Sequence, residues 1–137
     1  MSSDRVDLLK RVPLFAELER RDLEAIGSGL REVRFRPGQE VTTEGGSGVG
    51  FFIIEDGEAR VTVQGQERGR LGPGDYFGEI ALIGRTERTA TITAESELRC
   101  LGMTSWEFRP LVESNGAIAW KLLEAMAGKL TQAEQRA

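Results

Sequence analysis

Between residues 32 and 103 turn-forming residues cut the chain into short apolar runs, a pattern that accommodates little except short antiparallel strands. Arg36-Pro37-Gly38-Gln39 has proline and glycine where a type II turn takes them. Phe51-Phe52-Ile53-Ile54 is a continuous apolar run of the kind found in a strand buried on both faces. Asp56-Gly57 follows as a hairpin signal, since a type I′ turn needs positive φ at both central residues. The predicted return strand alternates through Ala59, Val61 and Val63 and turns again at Gln64-Gly65. Gly72-Pro73-Gly74-Asp75 is a further turn, Ala90, Ile92 and Ala94 alternate with Thr91 and Thr93, and Leu98 to Met103 forms a last strand. Glycine accounts for 17 of 137 residues, against a usual share of about 7%. Strands at this spacing predict an antiparallel sandwich or roll rather than βαβ units.

Helical patterns flank this region. In residues 1–31, Pro13 can open a helical turn, because its missing N–H would be unpaired there anyway. Leu23, Ile26 and Leu30 then make one apolar stripe, with Arg20, Arg21, Glu24 and Arg31 for the wet side. In residues 105–137, Ser105 to Val112 predicts a short helix that Pro110 interrupts unless it sits in a first turn. Ser114 or Asn115 can cap a longer helix running towards Gln135, with a stripe of Ala119, Leu123, Met126, Leu130 and Ala133. No linker, repeat or low-complexity tract separates these parts, so residues 1–137 read as one domain.

Absences narrow the chemistry. The chain has no histidine, which removes Ser–His–Asp and Cys–His catalysis and His-ligated metals, a cupin-type metalloenzyme among them. A formal charge of −4 argues against gripping duplex DNA through its phosphates. Cys100 is the single cysteine, fits a reducing compartment such as the cytoplasm, and reads as a small core residue. No run approaches a membrane span. The loop Gly45-Gly46-Ser47-Gly48 lacks the Gly-Lys-Ser/Thr ending of a phosphate loop and reads as a hairpin loop. Arg85 and Arg99 read as solvated charges.

The most informative run is Tyr76 to Ile83 followed by Gly84 to Thr91. Gly78 allows backbone to approach a ligand closely. A helical turn over residues 79–83 would offer unpaired N–H groups to an anion, and Arg88 can close on the same anion with a planar, multi-donor guanidinium. Thr89 adds a hydroxyl. Glu79, an acceptor when ionised, suits a sugar hydroxyl rather than a phosphate. Taken singly, Arg88 is a surface arginine and Glu79 an acid favoured by a helix N-terminus. Together they describe a nucleotide whose phosphate and ribose lie close to each other.

These residues resemble the phosphate-binding cassette of the cyclic-nucleotide-binding domain family. The cassette appears here as Phe77-Gly78-Glu79-Ile80-Ala81-Leu82 and Arg88-Thr89-Ala90-Thr91-Ile92. The resemblance extends through Pro13-Leu14-Phe15, Pro37-Gly38, Glu44-Gly45, Phe52-Ile53-Ile54 and Gly57. It implies an α+β domain: an antiparallel, jelly-roll-like β-roll of about eight strands, an N-terminal helical segment and two C-terminal helices. It implies ligand contacts from Gly78, Glu79, Ile80, Ala81, Arg88, Thr89 and Ala90. Arg88 would pair with the cyclic phosphate, helped by the amides of Ala81 and Thr89, while Glu79 would accept from the ribose 2′-OH. The chain departs from the family at Glu87, where proline is common, and at Gly46, where an acidic residue is common.

The expected function is a sensor for a cyclic purine mononucleotide, cAMP first and cGMP second, with no catalysis, cofactor or metal. The resemblance also implies that the last helix changes position and covers the base, with Trp120, Leu123 and Met126 as candidates to touch it. The competing expectation is a nucleotide-free interaction module that keeps the fold and forms a homodimer through the C-terminal stripe. The initiating methionine favours a stand-alone sensor over a fragment of a larger protein.

Overall fold

The computed structural model describes residues 2–42, 50–78 and 90–136. The described residues form four helices and eight strands. No helix among them is long and apolar enough to cross a membrane. The chain divides into two compact units, one of residues 1–29 with 108–137 and one of residues 30–107.

The first unit is helical. It contains α1 (Ser2–Lys10), α2 (Arg20–Ser28), the end of α3 (Ser105–Glu113) and α4 (Gly116–Arg136). Leu23 and Ile26 of the expected stripe are buried on α2, while Leu30, also buried, lies beyond that helix in the second unit. Pro13 does not open a helix. Tight turns occupy this stretch instead, with Phe15 N–H donating to Val12 O at 2.9 Å and Leu18 N–H to Phe15 O at 3.1 Å. These turns bury Val12, Leu14, Phe15 and Leu18, and the Phe15 ring meets Phe108 at 6.0 Å.

Pro110 does not interrupt α3. The one helical bond it forfeits is that to the carbonyl of Trp106, in the exposed first turn. Asn115 caps α4: its Oδ1 accepts from the N–H groups of Ala117 and Ile118 at 3.1 and 3.3 Å. Its Nδ2 donates to Oδ1 of the buried Asp22 on α2 at 3.2 Å. The buried face of α4 is not the expected stripe but Ile118 and Leu122. Leu123 and Leu130 are 61% and 63% exposed, because this helix carries two apolar faces and spacing alone does not say which one packs.

The second unit is the β-roll. Its strands are β1 (Arg31–Phe35), β2 (Glu40–Thr42), β3 (Gly50–Asp56), β4 (Ala59–Val63), β5 (Gln66–Leu71), β6 (Tyr76–Phe77), β7 (Thr91–Ala94) and β8 (Leu98–Thr104). They form two antiparallel sheets in the orders β1-β8-β3-β6 and β2-β7-β4-β5. The inner faces meet in a core of Ile54, Ala59, Ile92, Ala94, Leu98 and Cys100. Phe51, Ile53, Leu101 and Met103 are buried on the other face of the first sheet, as the continuous apolar run predicts for β3.

The hairpin expected at Asp56-Gly57 is instead a crossing between sheets, since β3 pairs with β6 and β8 while β4 pairs with β5 and β7. Gly57 has φ +94°, and Asp56 is not among the residues with positive φ. A Cβ on Gly57 would sit 2.2 Å from the Glu97 carbonyl, so the corner requires glycine. The Glu58 carbonyl then accepts from Glu95 N–H at 2.9 Å. The two-residue hairpin lies one strand later, at Gln64 and Gly65, with φ of 52° and 79°. The turns at Arg36-Pro37-Gly38-Gln39 and Gly72-Pro73-Gly74-Asp75 form as predicted, each closed by a backbone bond of 3.0 and 2.9 Å respectively.

Cys100 is fully buried, and burial beside the Glu55 carboxylate pushes its thiol up to about 12. Arg99, expected to be solvated, is half-buried and ion-paired to Glu55 at 3.5 Å.

At the start of α3 the Glu107 side chain reaches back to Thr104, the carboxylate half of a capping box. Glu107 Oε1 accepts from the Thr104 amide at 3.0 Å and from its hydroxyl at 2.8 Å, and Oε2 accepts from Arg31. The amide bond, then Arg31 and the Thr104 hydroxyl, hold the Glu107 carboxyl down at about 2 against an ordinary 4.5. A depressed carboxyl stabilises fully above its unfolded value and loses that contribution as pH falls through its folded one. Urea titrations across pH will therefore show stability falling between about 4.5 and 2 in the native protein. Glu107→Ala flattens that limb and lowers stability at neutral pH by about 1 kcal/mol; an identical acid limb in the variant would refute the assignment.

Candidate functional site

Phe77 ends β6 at the edge of the first sheet, and Thr91 begins β7 inside the second. The run 78–90 therefore carries the chain from one sheet to the other, and the structure describes both of its ends. Gly78 leaves β6 with φ +84°, a conformation that L side chains adopt only under strain. Ala90, half-buried, precedes β7, and its carbonyl accepts from Thr42 Oγ1 at 3.3 Å. Glu79, Ile80, Ala81, Arg88 and Thr89 lie outside the described residues, as do Arg85, Glu87 and the loop of Gly45, Gly46, Ser47 and Gly48.

Each end is tied to its sheet by a different means. Phe77 pairs with Phe52 in register, and the two rings stack at 5.4 Å with 30° between their planes. Phe52 also meets the Phe35 ring edge-on at 6.0 Å and 78°. At the far end, Ile92 is buried between the sheets and pairs with Val61 and Thr42. Thr42 is a residue that the sequence did not single out. Its only signal is its place two residues after Glu40 in a short strand, which gives no hint that its hydroxyl secures Ala90.

The chemistry follows from this frame. In the sequence the Gly78 amide is followed at once by a carboxylate and ten residues later by a guanidinium, an acceptor suited to a hydroxyl and a donor suited to an anion. Among the described residues no group of three acidic or cysteine side chains could hold a metal ion. Of the α4 candidates, Trp120 is 64% exposed and Leu123 61%, while Met126 is half-buried.

Comparison with known proteins identifies the family. The family model described as "Cyclic nucleotide-binding domain" matches residues 32–115, a span that includes the whole cassette. A cAMP-dependent protein kinase regulatory subunit of Yarrowia lipolytica is 39% identical over 93 residues, 66% of this chain and 25% of that protein. A putative potassium channel protein of Rhodopseudomonas palustris is 31% identical over 125 residues, 89% of this chain and 30% of that protein. The chain thus spans about a quarter to a third of these relatives. Among solved structures, the N-terminal domain of a transcriptional regulator from Streptomyces coelicolor A3(2) superposes with a TM-score of 0.84 at 28% identity. That likeness covers 94% of this chain and 96% of the other.

Gly78→Ala should cost about 1–2 kcal/mol from backbone conformation alone, read from urea unfolding monitored at the tryptophans. Unchanged stability would mean that the chain does not leave β6 through a left-handed residue.

Proposed function

The chain belongs to the cyclic nucleotide-binding domain family, and from that premise we propose that it binds a cyclic purine mononucleotide and acts as a regulatory module rather than an enzyme. The observation that carries this reading is the position of residues 78–90. The run that bears Glu79 and Arg88 is the link between two packed sheets, anchored at Phe77 on one side and at Ala90 and Ile92 on the other.

In this reading the Arg88 guanidinium and the amides of Ala81 and Thr89 hold the cyclic phosphate. Glu79 accepts from the ribose 2′-OH beside the Gly78 amide, and Ile80 and Ala90 complete the contact. Charge-assisted hydrogen bonds contribute roughly 1.5–3 kcal/mol each. Two or three of them with a buried purine reach the roughly −8 kcal/mol of a micromolar complex. We take cAMP as the first candidate and cGMP as the second, the similarity to a cAMP-dependent kinase regulatory subunit supporting that order. The ligand regulates by shifting a population: it binds one position of α4 better than another, and only that difference can move the helix. A reducing compartment, the cytoplasm, suits the buried Cys100 thiol.

Titration calorimetry with cAMP and cGMP tests the proposal. Binding heat is expected from the native protein, and Arg88→Ala should weaken binding by about 2–4 kcal/mol, roughly 30-fold or more. Equal affinity in the variant removes Arg88 from the site, and no heat with either nucleotide removes the function.

Self-association is a second reading, favoured by the outward face of α4. Ala119, Leu123, Met126, Leu130 and Ala133 follow the alternating four- and three-residue spacing of a two-stranded coiled-coil seam, and both leucines are exposed. Lys129 and Glu134 flank that seam five residues apart, the separation at which opposite charges meet across a parallel pair. Sedimentation should report a dimer that Leu130→Asp converts to monomer without loss of nucleotide heat. A native monomer at high concentration would dispose of it.

A further inference from the structure

We propose that Phe52, seated over Gly102, is a positioning residue for the nucleotide site, acting through Phe77 to set where the cassette begins; this rests on the binding function proposed above. Strand β6 is two residues long and, among the described residues, lies at a sheet edge and pairs with β3 alone. Backbone bonds hold the chain up to β6, with Ile54 N–H donating to Asp75 O and Gly74 N–H to Ile54 O, both at 2.8 Å; at Phe77, which precedes Gly78 and Glu79, side chains add to the last pairing. They do so along one cross-strand row. Gly102 on β8 pairs with Phe52 on β3, which pairs with Phe77 on β6.

Within that row Phe52 is held on three sides. Its ring stacks on Phe77 and receives Phe35 edge-on. Towards β8 it lies against Gly102, where a Cβ would come within 2.9 Å of its Cε1 and 3.0 Å of its Cδ1. A glycine inside a strand weakens the strand and marks the close approach of another group; here the approaching group is the Phe52 ring. Phe52 and Phe77 are only half-buried, unlike Phe51 on the same strand. The three rings pack against the inter-sheet core while staying partly open, so the row joins that core to the exit from β6.

The decisive variant is Gly102→Ala, whose added methyl displaces the end of a flexible ring and leaves the backbone room to fold. In the nucleotide-free protein, hydrogen exchange of the segment 75–78 should quicken by about tenfold while that of 59–63 stays unchanged. By calorimetry at a temperature where all variants are folded, cAMP affinity should fall by about fivefold. In a Phe52→Leu background, where no ring is left to displace, Gly102→Ala should add less than about twofold. Phe108→Leu, a core substitution of the same kind in the helical unit, should leave affinity unchanged. Unchanged exchange at 75–78, unchanged affinity, or an equal loss from Phe108→Leu each overturns the positioning role. Absence of heat from the native protein overturns the nucleotide reading instead, and the exchange measurement still decides whether the ring stack holds the entry.

Discussion

The structure depends on two apolar sheet faces packing against each other while the chain passes repeatedly between them. Of the connections between successive described strands, only that from β4 to β5 stays within one sheet. Every other one is a crossing, and a crossing must turn sharply without leaving buried backbone groups unpaired. Gly38, Gly57, Gly74 and Gly78 stand in four of these crossings, all with positive φ. Much of the glycine in the composition is thus a consequence of topology. The corners are also stitched to the strands they pass: Gly38 N–H donates to Ala94 O at 2.7 Å, and Gly74 N–H to Ile54 O at 2.8 Å.

The candidate site is the crossing with the most chemistry in it. Its neighbours are short and spend their residues on turning, whereas the link from β6 to β7 has residues to spare for a carboxylate and a guanidinium. What the roll contributes is a pair of fixed ends. Phe77 is set by an aromatic stack on one sheet, and Ala90 by a threonine hydroxyl on the other. Preorganised ends reduce the conformational entropy that the proposed binding would cost the residues between them.

Much of this was legible in the sequence, for identifiable reasons. Buried strands announce themselves by apolar runs, so Phe51 to Ile54 was readable, and the cap of α4 was readable to within Ser114 and Asn115 because few residue types can accept from a helix N-terminus. Asp56-Gly57 misled because a dipeptide encodes a dihedral preference but not the strand to which the chain returns. The phase of α4 misled because both of its faces are apolar. The tight turns after Pro13 were hidden for a related reason, since their buried residues also fit a helical pattern. At the site, the sequence supplied residue types and order, while the Thr42 contact and the ring row through Phe52 depend on strand register, which no local pattern specifies.

One contact in the helical unit bears on how a signal could leave the protein. Asn115 both caps α4 and donates to the buried Asp22 of α2, so the first turn of the last helix is tied directly to α2. A helix of 21 residues is about 30 Å long. Were the proposed regulation to tilt it about that first turn, about 10° would carry the opposite tip roughly 5 Å.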